Sequence, residues 1–103
     1  MSVLLEMSMF PLEGSGSKSA FVAKIIDQID QSGFAYKLTP MSTVVETSTM
    51  QEALSLVEQA YECLEECERV YACLKFDIRK NREDGMHQKV ASVQKKLNRP
   101  INA

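Results

Sequence analysis

Strict alternation of apolar and polar side chains over residues 69–79, RVYACLKFDIR, is the feature that most constrains the fold. Successive side chains of a β-strand point to opposite faces, so this pattern predicts a strand with one covered face. The apolar face carries Val70, Ala72, Leu74, Phe76 and Ile78. The opposite face carries Tyr71, Cys73, Lys75, Asp77 and Arg79. Such a strand needs neighbouring strands and a layer of helices over its apolar face.

The first residues of the chain have the same periodicity. Residues 2–10, SVLLEMSMF, predict a strand whose apolar face carries Val3, Leu5, Met7 and Met9. Its opposite face carries Leu4, Glu6, Ser8 and Phe10. Residues 34–39 and 43–47 are two shorter strands that are separated by Pro40 and Met41, a spacing typical of a hairpin. We place Val44 and Glu46 of the hairpin on the same face as Glu6.

Three segments have the spacing of amphipathic helices. The first covers residues 18–31 and is followed by Gly33, which favours a left-handed stop. The second begins at Thr49, where Glu52 three residues later completes a capping box, and extends to about Glu66. Its predicted apolar stripe is Ala53, Leu54, Val57, Ala60, Tyr61 and Leu64. The third covers residues 86–98, with Met86, Val90, Val93 and Leu97 on one side.

The order of these elements is β-α-β-β-α-β with an additional C-terminal helix. This order predicts one α+β domain over residues 1–103, a ferredoxin-like antiparallel sheet with its first two helices on one face. The other face of the sheet, which carries Glu6 and Lys75, is left without helices by this prediction. A half-apolar face of this size favours a partner, and two sheets packed face to face would form a homodimer with pockets between them.

Composition excludes several functions. A net charge of −2 without a basic block argues against nucleic acid as a partner. No apolar run reaches the roughly 20 residues that span a membrane. The first residues lack the basic start of a signal peptide, so we expect a cytoplasmic protein. Three cysteines, an odd number, are expected to be free thiols.

Two motifs suggest chemistry that the residue pattern does not support. The segment LEGSGSKS, residues 12–19, resembles a phosphate-binding loop at Lys18 and Ser19 only, because both required glycine positions hold other residues. A zinc site could be drawn from Cys63, Cys67, Cys73 and His87. The spacing of four between the two helical cysteines is more typical of packing than of structural zinc, so we expect no metal. We also interpret His87 as a solvent-facing helix residue.

The carboxylates Glu6 and Glu46 are candidates for a ligand site, because an unpaired carboxylate on a strand is costly to bury. Two interpretations are open. They pair with Lys75 or Arg79, or they accept hydrogen bonds from a ligand with an amino group or a positive charge.

The run SGFAYKLTPMSTVVE, residues 32–46, resembles the signature of a family of small thiamine-binding proteins. Residues 9–12, 69–79 and 89–97 are similar to the end of that family's first strand, its last strand and its closing helix. The resemblance covers nearly the whole chain. It differs at Ser42, where the family usually has glycine, and at Thr47, where glycine is frequent.

The resemblance implies a ferredoxin-like fold, homodimers or homotetramers through the sheet faces, and binding of thiamine or its hydroxymethylpyrimidine part without catalysis and without a cofactor. By position in the motif it implies a ligand site near Thr39, Met41, Ser42, Thr43 and Glu46. The outer sheet face adds the candidates Glu6, Ser8, Phe10 and Asp77, because thiamine has a cationic ring for carboxylates and aromatic rings for stacking. We weigh this function against an oligomeric regulatory or interaction module without a small ligand, and against an enzyme with a dimeric cofactor-free site.

Overall fold

The computed structural model describes residues 1–12 and 18–103. These residues form four strands and three helices, in the order that the sequence predicts. They are β1 (Ser2–Pro11), α1 (Ser19–Ser32), β2 (Tyr36–Leu38), β3 (Thr43–Thr47), α2 (Met50–Glu62), β4 (Val70–Arg79) and α3 (Gly85–Leu97). The glycine and serine positions of the phosphate-loop comparison, residues 13–17, lie outside the described residues.

The strands form one antiparallel sheet in the order β2-β3-β1-β4. Leu4 lies opposite Glu46 on β3 and opposite Asp77 on β4. Glu6 lies opposite Val44 and Lys75 in the same way. The predicted placement of Val44 and Glu46 on the face of Glu6 is therefore confirmed, and this face is called the outer face below.

The core lies between the inner face of the sheet and helices α1 and α2. The buried residues from β1 are Val3, Leu5, Met7 and Met9, as their alternation predicts. Val45 of β3, Ile25 and Ile29 of α1, and Leu56 and Ala60 of α2 complete the centre of the core. The fold is the α+β arrangement that the sequence predicts, with α1 and α2 on one face.

Helix α2 is shorter than expected, and only part of its predicted stripe is buried. It ends at Glu62, and turns follow to Cys67. Leu54 and Tyr61 are about half exposed, whereas Leu56, absent from the predicted stripe, is buried. The predicted members Ala53, Ala60 and Leu64 are buried as expected, so the buried stripe is the predicted one turned slightly around the helix axis, towards Leu56 and away from Leu54 and Tyr61.

Strand β4 is an edge strand, and its alternation does not lead to burial. Leu74 and Ile78 belong to the inner face but are 40% and 49% exposed. Helices α1 and α2 make most of their sheet contacts with β1, β2 and β3. Val70 and Phe76 of β4 are partly buried against the core, but the rest of the inner side of this strand extends beyond the helical layer.

Helix α3 lies over one end of the outer face, where it contacts β1 and β3. None of its residues is buried, and Val93 and Leu97 on its apolar stripe are 37% and 48% exposed. No helix in the described part of the chain has both the length and the apolar character needed to cross a membrane.

Candidate functional site

The outer face has two different ends, and the predicted site residues are divided between them. At one end β1 finishes with Ser8 and Phe10, and the β2–β3 hairpin turns through Thr39–Ser42. At the other end β1 begins with Ser2 and Leu4, and α3 begins beside Glu46. We call them the hairpin end and the α3 end.

A cavity of about 130 Å³ opens beside the hairpin turn, towards the side of the sheet that α1 covers, since Met7 and Met9 of the inner face and Ile25 of α1 are part of its lining. It lies where the hairpin turn meets the end of β1 and the side of α1. Its lining includes the predicted site residues Ser8, Phe10, Thr39, Ser42 and Thr43. The structure therefore brings together five of the residues that the sequence singles out, from two separate segments of the chain.

The hairpin turn is held by the side chain of Thr39. Its hydroxyl donates to the carbonyl oxygen of Ser42 at 2.9 Å and accepts from the backbone N–H groups of Met41 and Ser42 at 3.2 and 3.1 Å. These bonds occupy the hydroxyl within the turn, so Thr39 positions the turn. Met41 lies at the tip and is 84% exposed, which places a flexible apolar side chain beside the cavity.

Glu6 lies next to this turn on the outer face. One carboxylate oxygen accepts a hydrogen bond from the Ser42 hydroxyl at 3.2 Å. The other lies 3.6 Å from the Lys75 ammonium, in a pair whose side chains are 46% and 80% exposed. The predicted pairing with Lys75 is found, but it is a loose surface pair that leaves the carboxylate open to a further donor.

Aromatic side chains extend the hairpin end towards β4. The rings of Phe10 and Tyr71 are 5.9 Å apart at a tilt of 31°, and Tyr71 is half exposed. The Lys18 ammonium lies 5.1 Å from the centre of the Phe10 ring. This ring already accepts a cation on its face, as a ring that binds a positively charged ligand must do.

Glu46, at the α3 end, has a different environment. Its carboxylate accepts hydrogen bonds from the backbone N–H groups of Gly85 and Met86 at 2.8 and 3.0 Å, and from the Ser2 hydroxyl. Burial raises the pKa of Glu46, but these three bonds and the charge of Arg82 outweigh it and hold the pKa below its ordinary value. The carboxylate therefore caps the first turn of α3.

Asp77 is also engaged at the α3 end. Arg82, whose side chain is only 7% exposed, donates to the Asp77 carboxylate at 2.8 Å and to its carbonyl oxygen at 3.0 Å. The same guanidinium donates to the Ser2 hydroxyl at 3.0 Å. Sequence reasoning missed both Arg82 and Ser2. Nothing in the local pattern marks them, because their contact joins positions 80 apart.

The remaining candidates are His87 and the three cysteines. His87 is exposed and its ring lies 2.8 Å from the carboxylate of Asp84, the residue that immediately precedes α3. Cys63 and Cys67 are half-buried near the end of α2, and Cys73 is exposed on β4. Over residues 1–12 and 18–103, no three histidine, cysteine or acidic side chains are grouped as metal ligands would be.

Comparison with known proteins gives a family match over most of the chain. The family model described as thiamine-binding protein matches residues 5–94. A UPF0045 protein of Mycobacterium bovis is 36% identical over 101 residues, which cover 97% of this chain and 99% of that protein. A UPF0045 protein of Methanothermobacter thermautotrophicus is 30% identical over 98 residues, covering 92% and 99% of the two chains.

Solved structures share the fold. A hypothetical protein of Methanocaldococcus jannaschii superposes with a TM-score of 0.77 at 29% identity, over 89% of this chain and 95% of that one. A Thermotoga maritima protein that is provisionally assigned to thiamine biosynthesis or salvage gives a TM-score of 0.76 at 21% identity, over 90% and 99%.

Proposed function

The chain belongs to the thiamine-binding protein family, and from this membership we propose that it binds thiamine, or the hydroxymethylpyrimidine part of thiamine, without catalysis and without a cofactor. The ligand occupies the region around the hairpin turn, from the cavity on the α1 side to Glu6 on the outer face, between two copies of the chain. The observation that carries this proposal is the meeting of Ser8, Phe10, Ser42 and Thr43 around one cavity, beside an open carboxylate.

Glu6 is the carboxylate that we assign to the ligand. An aminopyrimidine offers an exocyclic amine that donates to a carboxylate, and its ring nitrogens accept from hydroxyl groups such as that of Ser42. Glu6 has the spare acceptor capacity that this contact requires, since it receives one hydrogen bond and one distant ammonium. Phe10 and Tyr71 supply a surface for the second, cationic ring.

Glu46 and Asp77, which were predicted as ligand contacts, receive a supporting role in this proposal. Both are already bonded by groups of the chain itself, and freeing either one leaves donors of α3 or Arg82 without acceptors. We infer that they hold α3 at the border of the site. Thr39 acts in a similar indirect way, through the shape of the hairpin turn.

The cavity is smaller than a whole thiamine molecule needs, and ligand pockets are usually about 300 Å³ or more. A second copy packed on the outer face would add walls on the Glu6 side of the hairpin turn, next to this cavity. Exposed apolar side chains on the edge strand and on α3, among them Tyr71, Leu74, Ile78 and Leu97, support association into homodimers or homotetramers. The cytoplasmic location that the sequence suggests stays a prediction.

Calorimetric titration of the purified protein with thiamine and, separately, with hydroxymethylpyrimidine tests the proposal. Thermal unfolding at fixed protein concentration gives a second measure, because a ligand at a hundred times its Kd stabilises the native state by about 2.7 kcal/mol. We expect both compounds to bind to the wild type. Glu6→Gln is expected to weaken the affinity at least tenfold, because a neutral amide replaces an acceptor that carries charge.

Glu58→Gln is the matched control, because it removes the same charge from an exposed position of α2. Equal affinities of the Glu6 and Glu58 variants would contradict the contact assigned to Glu6. Absence of binding by either compound to the wild type would contradict the proposal itself. The exposed apolar edge would then favour the alternative, an interaction module, and a protein partner would be sought by co-purification.

A further inference from the structure

We propose that the groove beneath α3 is a second binding site, and that it takes the diphosphate group of a small molecule. The groove has a volume of about 580 Å³ and lies at the α3 end of the outer face. Leu4 of β1 and the last residues of β4 form its floor, and one side of α3 forms its wall. It is distinct from the hairpin cavity, since Leu4 and Ser8 are about 13 Å apart along β1 at 3.3 Å per residue.

The charge of the groove is opposite to that of the chain. The whole chain has a net charge of −2, whereas Arg79, Lys89 and Lys96 all line this groove. No ion pair or hydrogen bond is found for these three side chains among the described residues. Unpaired cations that converge on one concave surface repel one another, and an anion between them removes that repulsion.

The single carboxylate of the groove does not neutralise these cations. Asp77 is held at 2.8 Å by Arg82, which lies beneath it and is almost fully buried. This pair cancels its own charge and leaves the three outer cations available. It also makes the floor rigid, because Arg82 is bonded to Ser2 at the same time.

The far wall of the groove is fixed at its start. The first turn of α3 is tied to Glu46 through two backbone hydrogen bonds. Lys89 and Lys96 are seven residues apart on the same side of α3, which is about 10.5 Å along a helix. Ser92 lies between them on that side and offers a hydroxyl donor.

This arrangement matches a diphosphate better than other anions. A planar guanidinium bonds two phosphate oxygens at once, and two ammonium groups act as point charges at either end of a chain of two phosphoryl groups. Of the side chains that the structure describes, no aromatic one lines the groove, so they offer no surface on which a nucleic-acid base could stack. Three cations are also few for a continuous nucleic-acid backbone.

The experiment is a calorimetric titration of the full chain with inorganic diphosphate and with methyl diphosphate, at low salt and at 150 mM salt. Binding of both compounds identifies the diphosphate group as the recognised part, and stronger binding of the ester identifies an organic diphosphate as the source. We expect Arg79→Gln and Lys96→Gln to weaken binding at least tenfold each. Lys95→Gln is the matched control, because it removes the same charge from the neighbouring position of α3, outside the groove. We expect it to change the affinity less than twofold.

Three results would overturn this inference. They are no measurable binding of either diphosphate, an equal loss in Lys95→Gln and Lys96→Gln, and a changed oligomer mass in the groove variants without a change in diphosphate binding. The last result would identify the basic groove as a subunit contact. Thiamine titrated into Arg79→Gln separates this inference from the proposed function, since thiamine has no phosphate and its binding should be unchanged. Circular dichroism of each variant verifies that it is folded.

Discussion

Glu6 and Glu46 lie on the same face of the same sheet, yet the structure uses them in opposite ways. Glu46 accepts hydrogen bonds from Ser2, Gly85 and Met86, which together satisfy both of its oxygens. Glu6 accepts one hydrogen bond at 3.2 Å and faces Lys75 across 3.6 Å. Residue type and face therefore do not decide the role of a carboxylate in this chain. The role is decided by whether the rest of the fold supplies enough donors to fill it.

The difference begins at the two segments that border the face. Helix α3 starts after Asp84, which is left-handed with φ of 50° and gives no side-chain cap, so the first N–H groups of the helix need an acceptor from elsewhere. Glu46 is that acceptor. At the hairpin end the Thr39 hydroxyl already bonds the backbone N–H groups of the turn, so these groups do not need Glu6 as an acceptor.

The largest effect on the free energy of unfolding is expected from Arg82→Met, which removes hydrogen bonds that hold the α3 end of the sheet. The substitution removes a buried guanidinium that binds Ser2 and Asp77, and it leaves buried acceptors without a donor. Loss of a buried charged hydrogen-bond partner costs about 2–3 kcal/mol of the free energy of unfolding. Urea unfolding measures the change, and Arg79→Met, at an exposed position nearby, is the control. A change of less than 1 kcal/mol would mean that Arg82 does not hold this end together.

Glu46→Gln is expected to have the next largest effect. The amide keeps one acceptor oxygen but loses the charge that stabilises the start of α3, so we expect the free energy of unfolding to fall by about 1–2 kcal/mol. Affinity for thiamine should be nearly unchanged. A tenfold loss of affinity with unchanged stability would restore Glu46 to the ligand site and contradict the distinction between the two carboxylates.

Lowering the pH should reduce the stabilisation that the Glu46 carboxylate gives to the folded chain. The pKa of Glu46 is lower in the native state than its ordinary value of 4.5, so the carboxylate binds protons more weakly when the chain is folded. Its contribution to stability is complete above pH 4.5 and declines as the pH falls below that value towards the lower native pKa. The difference in unfolding free energy between the wild type and Glu46→Gln, measured by urea unfolding at several pH values, should therefore shrink below pH 4.5. A constant difference would show that charge plays no part in the cap.

Glu6→Gln should change stability least. An exposed ion pair is worth about 0–1 kcal/mol, so the free energy of unfolding should stay within about 0.5 kcal/mol of the wild type. Its effect should appear in ligand affinity instead. A loss of 1.5 kcal/mol or more would mean that Glu6 is a structural group like Glu46, and the hairpin end would then lack an available carboxylate.

The sequence predicts most of the fold because its periodic patterns are local and strong. The alternation of residues 2–10 and the capping box at Thr49 are confirmed, as is the left-handed Gly33 with φ of 82°. The prediction that helices cover Leu74 was wrong for a physical reason. Alternation indicates which face of the sheet a side chain is on, but it does not indicate how far the helical layer extends. The stripe of α2 was misjudged at Leu54 and Leu56 because two apolar residues so close together leave the helical phase ambiguous.

The candidate site is less predictable than the fold, because its decisive contacts are long-range. The hydrogen bonds from Gly85 and Met86 to Glu46 join positions 39 and 40 apart, and no local motif announces them. The family signature in residues 32–46 contains both Thr39 and Glu46 but does not separate a residue that shapes the turn from one that caps a distant helix. The strand register and the hydrogen bonds of the structure distinguish these two roles.

The contact between Ser2 and Arg82 also orders events in time. It closes a loop of 80 residues, whereas the β2–β3 hairpin closes over a few. The β1–β4 ladder, which pairs Ser2 with Arg79, closes nearly the same loop, so we expect the Arg82 contact to form after that ladder and to open before it. We also expect helix α3, which buries no residue completely and is tied to the sheet by hydrogen bonds at its first turn, to open more readily than the strands. In a hydrogen-exchange experiment, the backbone amide hydrogens of α3 should exchange well before those of the strands that it covers.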